Sequence, residues 1–365
     1  MSDDVVVVLV VATAFAFAFT NGFHDTAEVI ATSISTKALP PRLAVASAAI
    51  LTFAGAFISL QVAATIADEM VEVGAVTPAV VLAGLIGGLA WNLLTWYFGL
   101  PASSSHALIG GLVGSTIAAA GTDAVIADGV FGKFLIPAVL APVAALVVSA
   151  VAILAAYRIV GGLRPGTVTR AFRIGQTVSG GLLALAHGTN DAQKTMGVIT
   201  LALVAGGSLS DGSDVPFWVV FSAAAAIGFG TYGGGWRIIR TMGMRIIKMD
   251  AVQGFSAQSS SAAVILASSY VGFPLSTTHV ISGGVIGAGA ARRLPGVRWG
   301  VAGNIGFAWA LTLPIAGGVG AAAYGVMRAF GTGSAGPVIV AVGTALLIAA
   351  LFTRRARQGA PVPAG

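Results

Sequence analysis

The 365 residues contain four histidines, His24, His106, His187 and His279, and each sits in a short polar run inside apolar sequence. Thr20-Asn21-Gly22-Phe23-His24-Asp25-Thr26-Ala27 brings an amide, an imidazole and a carboxylate together. Ala186-His187-Gly188-Thr189-Asn190-Asp191-Ala192-Gln193 brings the same groups in another order. A carboxylate near the middle of a bilayer costs on the order of 3 kcal/mol or more, so it persists where it binds a cation, relays a proton or meets a counter-charge. Asp25 and Asp191 are therefore candidate cation ligands, and unwound backbone beside them would supply further oxygens. Both runs read as breaks in membrane helices, with Asn21 and Asn190 at the breaks. Histidine is the side chain whose unperturbed charge change falls near neutral pH, which makes His24 the best-suited proton relay.

The other two histidines end a different motif. Gly99-Leu100-Pro101-Ala102-Ser103-Ser104-Ser105-His106 matches Gly272-Phe273-Pro274-Leu275-Ser276-Thr277-Thr278-His279. Pro fits the first turn of a new helix, and hydroxyl residues cap the free N–H groups there. Helix N-termini with hydroxyls attract anions. Ser103, Ser104, Ser105, Ser276, Thr277 and Thr278 form two such starts, which facing each other would hold a tetrahedral oxyanion. Neither motif contains Arg or Lys, so neutral donors would bind the ion and also let it leave.

Both motif pairs keep their order along the chain. His24 aligns with Asn190 and Asp25 with Asp191 at an offset of 166, and His106 aligns with His279 at an offset of 173. At the first offset Glu28 aligns with Lys194. Opposite charges at related buried positions predict an ion pair tying the halves together. The alternative keeps Lys194 near the anion and gives Glu28 a part in proton transfer.

The elements that position these residues follow from composition. Hydrophobic residues make up 56% of the chain, charged residues 9%, and 50 residues are Gly. A soluble domain carries roughly 25% charged residues, so this chain faces lipid. Apolar runs match the roughly 20 residues a helix needs to cross the hydrocarbon, whereas barrel strands would alternate. The expected fold is an all-α polytopic membrane protein. Spans are expected at about 5–35, 43–66, 78–98, 101–120, 134–157, 172–205, 216–233, 255–271, 274–291, 299–326 and 335–352. The Ser/Thr-rich spans at 101–120 and 274–291 could instead be re-entrant or half-helices, giving about 10–12 transmembrane segments.

Basic loops belong on the cytoplasmic side. Lys37, Arg42, Arg158, Arg164, Arg170, Arg173, Arg237, Arg240, Arg245, Lys248, Arg292, Arg293 and Arg298 then place the N-terminus outside and the C-terminus inside. An odd number of crossings separates the two motif sets, so the repeats are inverted, a signature of secondary transporters. The expected units are a first repeat over 1–158, a cytoplasmic linker over 159–170, a second repeat over 171–326, and an extra helix with a basic tail over 327–365. The segment from Trp236 to Lys248 reads as an amphipathic connector. The opening residues Asp3 and Asp4 are acidic, so the first span reads as retained rather than as a signal peptide. The chain has no Cys, which excludes disulfides and thiolate metal sites. Its net charge of +6 is accounted for by the loops, and no nucleic-acid partner is expected.

These motifs resemble those of the inorganic phosphate transporter family known as Pit. Its members carry an Asn-Gly-x-x-Asp type signature in each half and Gly-Leu-Pro-x-Ser-Thr-Thr-His segments. The resemblance covers about residues 10 to 325, with all four motif copies in order. It is strongest to the bacterial low-affinity, proton-coupled branch, whose members often take phosphate as a complex with a divalent metal. The sodium-coupled branch usually has Asn at the position of His24. The resemblance implies that Ser103, Ser104, Ser105, Ser276, Thr277 and Thr278 hold phosphate, with Asn21 and Asn190 beside them. It implies that Asp25 and Asp191 handle the coupling cation; His24, Glu28 and Lys194 are expected to take part on their own chemistry and alignment. Two positions depart from the family: Glu28 stands where Asn is usual, and Ser104-Ser105 replaces Thr-Thr.

The function expected is cation-coupled symport of phosphate, or of a metal–phosphate complex, by alternating access in the inner cell membrane. Protons are the expected coupling ion and sodium the alternative. No catalytic residue and no resident cofactor are expected. Inorganic phosphate and the lipid bilayer are the expected partners, and a homodimer is left open. A sulfate transporter and a membrane-embedded metal-dependent hydrolase are the rival readings. The absence of His-x-x-x-His or Glu-x-x-His spacing speaks against the hydrolase.

Overall fold

The structure, a computed structural model, describes residues 2–240, 247, 249–292 and 294–357. The tail beyond 357, Arg293, Lys248, and most of the connector after Arg240 lie outside the described residues. The described residues form helices and no named strand. In chain order these are α1 Ser2–Ser35, α2 Pro41–Gly55, α3 Gln61–Asp68, α4 Pro78–Phe98, α5 Ser104–Ala120 and α6 Ile136–Val160, the last preceded by a π-helical turn at Asp128–Leu135. There follow α7 Pro165–His187, a π turn at Gly188–Ala192, α8 Gln193–Ala205, α9 Phe217–Gly233, α10 Trp236–Arg240, α11 Ala251–Tyr270, α12 Thr277–Ala290, α13 Trp299–Ala329 and α14 Ala335–Arg357. Four stretches among the described residues are long and apolar enough to cross a membrane: Asp4–Ser35, Pro78–Phe98, Asp128–Val160 and Trp299–Ala329.

Local chemistry sets the ends. Pro41, Pro78 and Pro165 occupy first turns, where a missing N–H costs nothing. Gly99 ends α4 in the left-handed region at φ 67, and Gly272 follows α11 at φ 81. These turns deliver Pro101 and Pro274, and then the starts of α5 and α12. At 1.5 Å per residue those two helices are only about 26 and 21 Å long, short of the roughly 30 Å hydrocarbon core. The half-helix alternative describes them better than full crossings. The span expected at 43–66 is two helices. The chain turns at Ala56–Leu60, and α3 is eight residues long.

The two halves exchange contacts. α5 packs on α13, and α12 packs on α6. A methyl group at Gly110 would meet the backbone of Leu313, and at Gly114 that of Gly317. At the related Gly283 and Gly287 it would meet Pro142 and Leu146. Each half thus supplies the wall against which the other half's short helix packs. One apolar core gathers around Val10, Phe17, Leu85, Leu112 and Ile199, and a second around Ile30, Leu183, Val280 and Ile281.

The first expected helix break is absent, and the second takes the form of a π turn. α1 runs unbroken through Asn21–Asp25. α7 and α8 are joined through a π turn in which His187, Gly188 and Gln193 all keep right-handed helical angles. The glycines there serve close approach instead. A Cβ on Gly22 would lie 2.7 Å from Thr231 N, and one on Gly188 would overlap the Thr52 carbonyl. The π turn is tied by the Thr189 hydroxyl, which donates to Gly55 O and Leu185 O, both at 2.8 Å. Gly188→Ala should lower stability by about 1–3 kcal/mol, the usual cost of overpacking. Gly306→Ala, where a Cβ meets nothing within 4 Å, is the control. Thermal unfolding in detergent checks this, and equal midpoints would refute the packing role.

Candidate functional site

The starts of α5 and α12 meet at the centre of the molecule with nearly identical geometry. Ser103 (φ −85, ψ 109) caps α5 by accepting from His106 N at 3.1 Å. Ser276 (φ −85, ψ 106) caps α12 by accepting from His279 N at 3.3 Å. These two hydroxyl groups therefore serve their own helices, as N-cap residues do. The next four reach beyond their own helices, Ser104 and Thr277 within their own half and Ser105 and Thr278 into the other. The Ser104 hydroxyl donates to Asp25 Oδ2 at 2.7 Å, and the Thr277 hydroxyl to Asp191 Oδ2 at 2.8 Å. Ser105 donates to Leu275 O at 2.9 Å, and Thr278 to Ala102 O at 3.1 Å. Every contact has its counterpart in the other half. His106 and His279 lie with ring centroids 4.6 Å apart, just inside the two starts.

Lys194 breaks this symmetry. Its side chain is 1% exposed. Its ammonium contacts Asp191 Oδ1 and Ser105 Oγ, and donates to Leu275 O at 2.6 Å. The two helix starts carry no Arg or Lys of their own, but α8 inserts the Lys194 ammonium between them. The predicted Glu28–Lys194 ion pair is not formed among the described residues. Lys194 lies three residues after Asp191 on one helix, and that carboxylate is within easier reach. Glu28 is also 1% exposed, and neither of its carboxylate oxygens has a hydrogen-bond partner. Thr278 lies beside it, but its hydroxyl is turned to Ala102 O.

The first polar run gains a partner that the sequence did not suggest. His24 Nδ1 lies 2.7 Å from Asp25 Oδ1, and its Nε2 lies 3.1 Å from Thr95 Oγ1 on α4. Thr95 can also donate to Trp91 O at 2.8 Å. In the second half, Asn190 Nδ2 donates to Ser269 Oγ on α11 at 2.9 Å and to Phe273 O at 3.2 Å. The aligned His24 and Asn190 thus reach the matching helices, one by an imidazole and one by an amide. Asn21 is buried, and neither its amide nitrogen nor its oxygen has a hydrogen-bond partner. His187 Nε2 lies 3.1 Å from Asp191 Oδ2 without the alignment of a hydrogen bond, while Nδ1 faces Thr52 Oγ1 at 3.3 Å.

Asp25 and Asp191 come together from opposite halves. One ligand atom from each of Asp25, His187 and Asp191 falls within a mutual 4.8 Å, as do atoms of His24, Asp25 and Glu28. Carboxylate oxygens with one imidazole suit a small hard cation. A cation bound by the first set would share Asp191 with the Lys194 ammonium. Were Asp25, Glu28 and Asp191 all ionised and the imidazoles neutral, these buried groups would carry two negative charges beyond what Lys194 offsets.

The phosphate transporter family's pattern matches residues 21–320 of this chain. A Mycobacterium tuberculosis protein, described as a probable low-affinity inorganic phosphate transporter, is 53% identical over 324 residues, covering 88% of this chain and 78% of its own. A Bacillus subtilis protein described in the same words is 44% identical over 329 residues, covering 89% of this chain and 98% of its own. Among solved structures, one described as the sodium-dependent phosphate transporter has a TM-score of 0.80 at 24% identity, covering 89% of this chain and 99% of its own. At that identity the likeness concerns the fold.

Proposed function

The chain belongs to the phosphate transporter family and carries phosphate as a multi-pass membrane protein, and from that premise we propose that it does so by symport with protons. It is a transporter and not an enzyme. In this reading phosphate binds where the α5 and α12 starts meet, and the two halves are inverted repeats that alternate access around it. The observation that carries the reading is the reciprocal set of hydroxyls on two helix N-termini with the Lys194 ammonium between them. Phosphate would take over hydroxyls now turned to Asp25, Asp191, Leu275 O and Ala102 O. The Asp carboxylates can accept from its protonated oxygens, which sulfate lacks at neutral pH. Purified protein in liposomes should accumulate labelled phosphate unaltered, and a large excess of sulfate should leave the rate unchanged. Full competition by sulfate would replace phosphate with a broader oxyanion class.

The choice of protons rests on the His24–Asp25 pair. When Thr95 donates to Trp91 O, His24 Nε2 donates to Thr95, and the 2.7 Å contact between Nδ1 and Asp25 then needs a proton of its own. When the Thr95 hydroxyl turns to Nε2, the pair holds one proton fewer with every heavy atom in place. The pair is therefore built to gain and lose a proton without rearrangement. His24→Asn should lower proton-driven uptake by about tenfold or more, about 1.4 kcal/mol per decade, while half-saturation by phosphate changes little. Unchanged acceleration by an inward proton gradient would remove His24 from the relay. The inner cell membrane is the location proposed.

A further inference from the structure

Repeat-related positions can be compared for chemistry as well as for packing. At one end of the molecule, α1, α4 and α8 bury Val10, Leu85, Ile199 and Ala202 in one apolar core, each at no more than 1% exposure. The offsets of 166 and 173 carry these positions onto Gln176, Gln258, Ser33 and Thr36. These four are also buried, but they form a polar column between α1, α7 and α11. The Thr36 hydroxyl donates to Gln176 Oε1 at 2.6 Å, and Gln258 Nε2 donates to Ser33 Oγ at 2.8 Å and to Val29 O at 3.2 Å. Ser179 donates to Gln258 Oε1 at 3.2 Å. Gln176 Nε2 is fully buried with no partner. Buried amides and hydroxyls cost stability where they lack partners, and Gln176 Nε2 is left with a donor that water or a ligand can use.

Along α1 the column runs from Val29 O, one residue after Glu28 in sequence, to Thr36. There Arg173 Nε donates to Thr36 O at 3.1 Å, and Lys37 and Arg170 are exposed nearby in sequence. By the rule for basic residues, this end faces the cytoplasm. We propose that the column is the cytoplasmic release route for phosphate, held shut here by the Thr36–Gln176 hydrogen bond under the Arg173 clasp. The opposite end, where the same positions are apolar, is sealed by packing. The basic residues at the mouth would draw the anion out. This inference rests on the chain being a phosphate transporter, and it adds which residues form one side of the path.

The natural absence of Cys makes the test direct. Ser33→Cys and Ser179→Cys are compared with Leu85→Cys and Ile199→Cys in sealed vesicles of each orientation, using a membrane-impermeant maleimide. The first pair should label from the cytoplasmic face at least about tenfold faster than the second pair labels from either face, with a rate that saturating phosphate changes about threefold, as a ligand that shifts the conformational population must. Phosphate uptake is measured on each variant. Ser33→Cys and Ser179→Cys proteins that still transport but label as slowly as Leu85→Cys would overturn the route, as would faster labelling from outside. Gln258→Leu, which copies the residue at the related position, should cut the maximal uptake rate several-fold, and an unaltered rate would also overturn it. Correct sidedness of labelling in a protein that moves no phosphate would refute the substrate reading and leave the route standing.

Discussion

Lys194→Met should reduce phosphate uptake to background and destabilise the protein. Among the described residues, the ammonium is the one lysine or arginine charge set among Asp25, Glu28 and Asp191, and it contacts Asp191 Oδ1, Ser105 Oγ and Leu275 O. Removing one partner from a buried ion pair leaves the other charge uncompensated, which costs about 3–5 kcal/mol. Two effects are separable here. The double variant Lys194→Met/Asp191→Asn removes both charges and should recover most of the thermal stability. It should not recover uptake, because the cation between the two helix starts is still missing. Lys194→Arg keeps the charge but must fit a planar fork into a space where Lys is 1% exposed, so its uptake should also fall. Transport by the double variant at near the original rate would show that Lys194 holds the fold and does not face phosphate.

Asp25→Asn should abolish accumulation while leaving phosphate recognition measurable. Asp25 accepts from Ser104 through one oxygen and faces His24 Nδ1 through the other. It therefore joins the α5 start to His24, its partner in the pair proposed to carry the proton. Asn preserves the shape and one acceptor but cannot carry the charge that holds a proton on His24. Net uptake should fall at least about hundredfold, about 2.7 kcal/mol in rate terms. Thermal stabilisation by phosphate should persist, since the α12 start with Thr277 and Asp191 is untouched. Proton-driven accumulation by Asp25→Asn would place coupling elsewhere, with Glu28 the next residue to test.

Much of this arrangement was legible in the sequence because chemistry in lipid is sparse. Span 78–98 coincides with α4, since Thr77-Pro78 starts it and Gly99 ends it. The paired Ser/Thr motifs were readable because Pro and hydroxyl caps work locally, and both caps formed as expected. Asn21–Asp25 lies in a continuous α-helix and His187–Asp191 in a π turn rather than an unwound break, for a physical reason. Gly and polar residues in an apolar run suit an unwound helix, but they equally suit a continuous helix whose glycines admit a neighbouring backbone. Only the positions of Thr52 and Thr231 decide between these. The Lys194 pairing was misassigned because alignment of repeats identifies related positions, not contacts, and a partner three residues away on the same helix was nearer. Thr95 as the partner of His24 carried no local signal, being 71 residues distant. The polar column of Gln176 and Gln258 was open to discovery, since their apolar counterparts at the same offsets are visible in the repeat once it is read position by position.

The central claim is that phosphate and protons share one buried site where the two halves meet. The most direct measurement is phosphate flux by purified protein in liposomes, with proton, sodium and magnesium gradients imposed one at a time. An inward proton gradient should drive accumulation above equilibrium in sodium-free buffer. A sodium gradient at uniform pH should not. Accumulation driven by sodium alone, with no response to the proton gradient, would contradict the account.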